Sequence, residues 1–318
     1  MTLNPRHFSA AFQQSVQLLL QLHHEMSAGD PDGKKADEIR DAMERPWDAM
    51  SEAEHRLVRG LSADLYTIGR PWDVGPEPQT DIVGLVMDSL KNKRCEELLD
   101  LLRLHERRLP PESIAYLRGM AWSLLGQFET AAEFFQEATK VGPREWTPYV
   151  HCFLQALIAA ERIDQAIVHA ERVASQSSDP LLLLDAAEVF FVRSTEVDDA
   201  NAESVIKMAR TTAERGLRLA EQAQQDDVLT SQRVLIHLWL ALDSARLNDL
   251  TSALREVAIA QKLMPENPSI PFVEAFLMQR SDPISWDQGV GKGFVRLRSL
   301  QTDVSGYAPE LMSAHSVN

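Results

Sequence analysis

The sequence predicts an all-α protein in which antiparallel helix pairs stack side by side behind a shorter N-terminal helical segment. Three observations predict it. Apolar residues recur at three- and four-residue spacing along most of the chain. The 14 Gly and 16 Pro fall largely between those periodic segments rather than inside them. One small-then-large pattern of side chains returns after 33 and again after 35 residues, a period at which a helix pair buries its apolar face only by stacking on the next pair. With 44% of 318 residues hydrophobic, mostly Leu, Ala and Val, the chain can fill a continuous core.

The first segment, 1–68, reads as three helices. Pro5 opens the first where a missing N–H costs nothing, and Phe8, Phe12, Val16, Leu19, Leu20 and His23 follow at helical spacing. Gly29-Asp30-Pro31-Asp32-Gly33 ends it, and a short helix is expected over about 34–44. Ser51 with Glu54 three residues later forms a capping box for the third, whose stripe is Leu57, Leu61, Leu65 and Ile68. The tetrapeptide Arg-Pro-Trp-Asp occurs at 45–48 and at 70–73. Proline cannot continue a helix without losing a hydrogen bond, so each copy is expected to stop one and to free its Trp to fold back on apolar surface. Residues 69–80, with three prolines and two glycines, are the expected linker to the repeats.

From residue 81 helix pairs alternate with short turns. The clearest unit spans 112–143: Gly119 and Trp122 in a first helix, a turn at Gly126-Gln127-Phe128, then Ala131, Phe135 and Ala138, then Pro143. This pattern resembles the tetratricopeptide repeat (TPR), departing from it at Ala115, where Trp is favoured, and Arg118, where Leu is favoured. Small residues at Gly119 and Ala131 would let the two helices approach closely. Upstream, Cys95, Leu98, Leu102, His105 and Pro110 repeat the pattern 33 residues earlier; downstream, Ile163, Ala166, Ala170 and Val173 repeat it 35 residues later. A further unit has Leu250, Ala253, Val257 and Ala260, closed by a turn holding Pro265 and Pro268.

Between them lies an irregular pair, 181–193 and about 202–225, with a long second helix. The resemblance covers roughly 81–282 and implies an α-solenoid of TPR-like antiparallel helix pairs. A helix over 283–301, exposing Lys292, Arg296 and Arg298, is expected to cap an array reaching 301, and 302–318 is expected to be a disordered tail.

Acids outnumber bases 47 to 32, giving a net charge of −15, which opposes binding to nucleic acid or to an anionic membrane surface. No apolar run approaches the roughly 18 residues that span a bilayer. Met1 to Asn4 show no secretory pattern, so a cytoplasmic location is expected. Arg103, Arg107 and Arg108 read as cations at a helix C-terminus rather than a phosphate site. Cys95 and Cys152 read as small buried hydrophobes.

His23-His24-Glu25 and His151-Cys152 place neighbours on different helix faces, where they cannot converge on a metal or form a nucleophile–base pair. Gly289-Val290-Gly291-Lys292-Gly293 lacks the strand, spacing and hydroxyl of a phosphate loop. Catalytic residues, metal and cofactor are therefore expected to be none.

The resemblance implies a protein-interaction scaffold whose concave face, made by first helices, holds a peptide segment or partner domain. Tyr116, Met120, His151, Gln155, Leu238 and Leu242 are the candidate contacts. No basic clamp stands on those helices, so the expected partner is apolar or basic rather than acidic. A self-assembling structural protein, an accessory or regulatory subunit of an enzyme complex, and an enzyme built on the irregular pair are the alternatives, the last requiring converging His, Asp or Glu.

Overall fold

A computed structural model describes residues 8–29, 33–70, 80–142, 147–197, 199–224 and 226–278. Among the described residues the regular structure is entirely helical. They divide into two compact units, the first ending with the helix that closes at Val141 and the second starting with the helix that opens at Thr147.

The first unit holds α1 (Ala10–Ser27), α2 (Lys34–Asp48), α3 (Glu52–Leu65), α4 (Thr80–Lys91), α5 (Cys95–Leu104), a 3-10 turn at Glu106–Arg108, α6 (Pro111–Leu124) and α7 (Phe128–Val141). Pro5 lies outside the described residues. Helix α1 starts at Ala10, where the Ser9 hydroxyl accepts the Phe12 N–H, and Phe8 precedes the helix, its ring stacked on Phe12 at 4.2 Å. Phe12, Val16, Leu19 and Leu20 form its buried stripe. The capping box of α3 is present, Ser51 Oγ accepting from the Glu54 N–H and the Glu54 carboxylate accepting from the Ser51 N–H. That carboxylate also accepts the Ser9 N–H at 2.8 Å, so one side chain caps the starts of α1 and α3 together. Leu57, Leu61 and Leu65 are buried, and Ile68 follows the end of the helix.

The first Arg-Pro-Trp-Asp copy ends its helix, but at its last residue, Asp48, rather than before it. Helix α2 runs past residue 44 and takes Pro46 into its last turn. The proline ring is buried there, and Trp47 folds back onto His55 at 4.3 Å with the Arg59 guanidinium 5.5 Å from its centroid, contacts that offset one missing hydrogen bond. The second copy, from Pro71 onward, lies outside the described residues. So does most of the linker expected at 69–80, and the helices on both sides of it belong to the same compact unit.

Helices α6 and α7 pack as a hairpin. Trp122, Ala131, Phe135 and Ala138 are buried. A Cβ added to Gly119 would sit 2.6 Å from the Phe135 ring, so only glycine lets α6 come this close to α7. Gly126 turns the chain between them with φ +75°.

The second unit holds α8 (Thr147–Ala159), α9 (Ile163–Gln176), α10 (Pro180–Ser194), α11 (Asp199–Ala220), α12 (Asp227–Arg246), α13 (Leu250–Leu263) and α14 (Ser269–Met278). Helix α10 packs against α8, α9, α11 and α12, and α12, α13 and α14 pack on one another. Ala166 and Ala253 are fully buried, whereas Pro265 is exposed in the turn before α14. The irregular pair is α10 with α11, the latter 22 residues long.

Four hairpin turns share one backbone device. Lys93, Gly126, Glu161 and Asn248 all have φ between 54° and 75°. Each is followed by an N–H that reaches five residues back, from Arg94 to Ser89, Gln127 to Trp122, Arg162 to Leu157 and Asp249 to Ser244. These are Schellman turns, and the first three left-handed residues stand 33 and 35 residues apart, the spacing of the sequence repeat. Pro143, residues 283–301 and the tail lie outside the described residues. None of the described helices is long and apolar enough to cross a membrane.

Candidate functional site

The first helices α6, α8 and α10 are not amphipathic. Every residue of α6 from Ser113 to Ser123, and of α8 from Pro148 to Ile158, is buried, and so is α10 from Leu181 to Val192. Of the six expected contact residues, Tyr116 and Met120 in α6 and Leu238 and Leu242 in α12 have no accessible surface. Tyr116 leans on Phe135 at 5.6 Å. These four are core residues, which corrects the expectation: helices closed on all sides leave an apolar side chain no open face to present.

His151 and Gln155 behave differently. Both are buried, at 7% and 3% exposure, yet both are polar and both bond to α10. His151 Nδ1 lies 2.7 Å from Asp185 Oδ2, and the Gln155 amide donates to Asp185 Oδ1 at 2.9 Å and to Glu188 Oε2 at 3.2 Å. From the other side the Gln232 amide, on α12, donates to the same Glu188 oxygen at 2.9 Å. Five polar side chains thus form a ladder of hydrogen bonds across α8, α10 and α12. A buried carboxylate without such donors is costly, so the ladder ties the alignment of the three helices to the burial of Asp185 and Glu188.

Asp185, Glu188 and Gln232 were not among the expected residues. Two acids three positions apart, inside the otherwise apolar run 181–192, are the signal that marks them.

The second unit has further part-buried polar pairs. Asp243 meets Arg210 and Arg246 at the end of α12, and His237 lies 2.7 Å from Glu256 on α13. The Arg215 guanidinium caps the end of α9, donating to the carbonyls of Ala174 and Ser177.

In the first unit Asp64 is the centre of a separate cluster. Arg103 donates to both its oxygens, at 3.1 and 2.8 Å, and Arg118 Nη2 lies 3.0 Å from Oδ1. Arg118 also reaches Glu106 at 3.2 Å and donates to Thr67 Oγ1 at 2.9 Å. Burial raises the Asp64 carboxyl above its usual range, against the lowering pull of Arg118 and Arg103. Arg103 is therefore a partner of Asp64 as well as a helix-end cation. Arg118, where the repeat pattern favours Leu, is the group that binds α6 to the end of α3.

No family model, curated protein or solved structure matches this chain.

Function therefore has to be read from geometry. The His151–Asp185 pair has the arrangement of an imidazole oriented by a carboxylate, but both Asp185 oxygens are engaged and the neighbouring donors are amides. Among the described residues no group of three or more His, Cys, Asp or Glu is placed to hold a metal ion. The ladder joins α8, α10 and α12 and brings a His, an Asp and a Glu together at the irregular pair.

Proposed function

We propose that the chain is a non-catalytic protein-interaction scaffold of TPR-like helix pairs, working in the cytoplasm and holding an apolar or basic segment of a partner protein. The observation that carries this reading is the ladder from His151 and Gln155 through Asp185 and Glu188 to Gln232. Apolar residues of similar volume would bury the same helices at no greater cost, and often more stably. A buried polar ladder gains conformational specificity instead, one fixed alignment of α8, α10 and α12, which is what a platform needs to hold a partner in a single pose. The net charge of −15 favours the same class of partner.

The partner's contacts are made by side chains other than Tyr116, Met120, Leu238 and Leu242, whose burial removes them from the surface. The test is co-purification from the native cells with a tagged chain, comparing wild type with a variant carrying Asp185→Asn and Glu188→Gln. The reading expects a protein retained in stoichiometric amount by wild type and weakened about tenfold or more in the variant while helix content is unchanged. Recovery of the wild-type chain with no stoichiometric protein contradicts it.

A further inference from the structure

A cleft of about 200 Å³ opens in the first unit between the second half of α1 and the end of α3. Its walls are Leu19, Leu22 and Met26 from α1, with Leu65 and Ile68 opposite. The Tyr66 hydroxyl points across its mouth, 3.7 Å from the Met26 sulfur, and the Arg70 guanidinium lies 6.0 Å from the Tyr66 ring centroid. An apolar cavity of roughly 150 Å³ is enough to take up benzene. This cleft is of comparable size but open on one side, and His23, Ser27 and Ser62 line it as well.

The cleft is held in shape by groups that the packing of α1 on α3 does not need. Thr67 Oγ1 receives the Arg118 guanidinium and donates to the Asp64 carbonyl at 2.7 Å, and the Gly69 N–H donates to Glu137 Oε1 at 2.9 Å. The turn 66–70, which carries Tyr66, Ile68 and Arg70, is thus pinned from α6 and from α7. Fixed apolar walls with a few convergent polar groups are what a small-molecule site requires.

Charge selects the ligand. Among the lining residues the titratable groups besides Tyr66 are His23 and Arg70. Burial pushes the His23 imidazole below its ordinary range, against the raising pull of Glu133, so it is neutral near pH 7 and Arg70 is the cation of the cleft. Two carboxylates border the cleft and both act on His23, Glu133 lying 3.2 Å from His24 Nε2 and Glu137 accepting the Gly69 N–H at 2.9 Å.

We propose that this cleft binds a small monocarboxylate, its apolar body of one aromatic ring or about eight carbons lying between α1 and α3 and its carboxylate meeting Arg70. The site is independent of the ladder in the second unit, and its test does not involve a protein partner.

Isothermal titration of the full chain with sodium octanoate, octan-1-ol and octylamine tests it. Octanoate is expected to saturate one site with a Kd between about 10 µM and 1 mM, with octylamine at least tenfold weaker and octan-1-ol between them. Ser62→Trp, which puts an indole in the cleft, abolishes binding while the circular dichroism spectrum is retained. Arg70→Glu, at an exposed position and with the circular dichroism spectrum retained, makes octylamine the tighter ligand. Failure of octanoate to saturate below about 10 mM overturns the proposal, as does an unchanged preference for octanoate in Arg70→Glu.

Discussion

Arg118 and Asp64 face each other at 3.0 Å with almost no exposed surface between them, at the position where the repeat pattern would place a leucine. One substitution in a helix pair has become the means of fastening the N-terminal segment onto it. Removing one partner strands a buried charge, whereas removing both takes contacts only from Arg103 and Glu106, which are part-exposed. Asp64→Leu is expected to destabilise the first unit by about 3–5 kcal/mol in urea unfolding, and Asp64→Leu with Arg118→Leu by clearly less than the sum of the two single changes. Additive losses would show that the pair is not coupled.

Gly119 and Phe135 set the approach of α6 to α7. Gly119→Ala places a methyl 2.6 Å from the ring and is expected to cost about 1–3 kcal/mol in thermal or urea unfolding, with Phe135→Leu in the same chain recovering part of the loss. A neutral Gly119→Ala would mean that the hairpin is looser than described.

Lys93 and Glu161 occupy left-handed positions that Gly126 fills without strain. Lys93→Gly and Glu161→Gly should each stabilise the chain, by up to about 1 kcal/mol after the entropy that glycine adds to the unfolded state is subtracted, and Gly126→Ala should destabilise it by a similar amount. Melting temperatures of the three variants check the sign.

The Glu54 carboxylate is subject to burial that would raise it, but the Ser51 and Ser9 backbone N–H groups and hydroxyls outweigh this and hold it at about 2, against an ordinary value of 4.5. A carboxyl depressed in the fold binds its proton more readily when unfolded. Its stabilisation is complete above pH 4.5 and disappears as the pH falls toward 2. Asp64, raised by burial, acts with the opposite sign, its ionisation opposing folding as the pH climbs. Glu54→Gln is expected to flatten the fall of the melting temperature between pH 4.5 and 2; an unchanged slope would place acid sensitivity elsewhere.

Local signals in the sequence carried the helices well. The Ser51–Glu54 box, the Gly119–Phe135 approach and the turn at Gly126 each depend on residues close along the chain, so spacing reveals them. The stop at the first tetrapeptide is legible in the sequence, but its exact place is not, because burial of the Pro46 ring and the stacking of Trp47 carry the helix on to Asp48. Tyr116 and Met120 have the spacing of a first-helix face, but no local pattern in the sequence records that α6 is buried from Ser113 to Ser123. Ladder pairs are further from view: His151 and Asp185 are 34 residues apart and Glu188 and Gln232 are 44 apart, so only the stacking of helices brings them together.

Hydrogen exchange of the second unit in Asp185→Leu tests most directly whether the ladder is what aligns the first helices. If it is, amides in α8 and α12 lose protection together, by about tenfold or more, although the substitution lies on α10. Protection lost in α10 alone, or retained in all three helices, would contradict the role assigned to the ladder and remove the support for a rigid platform.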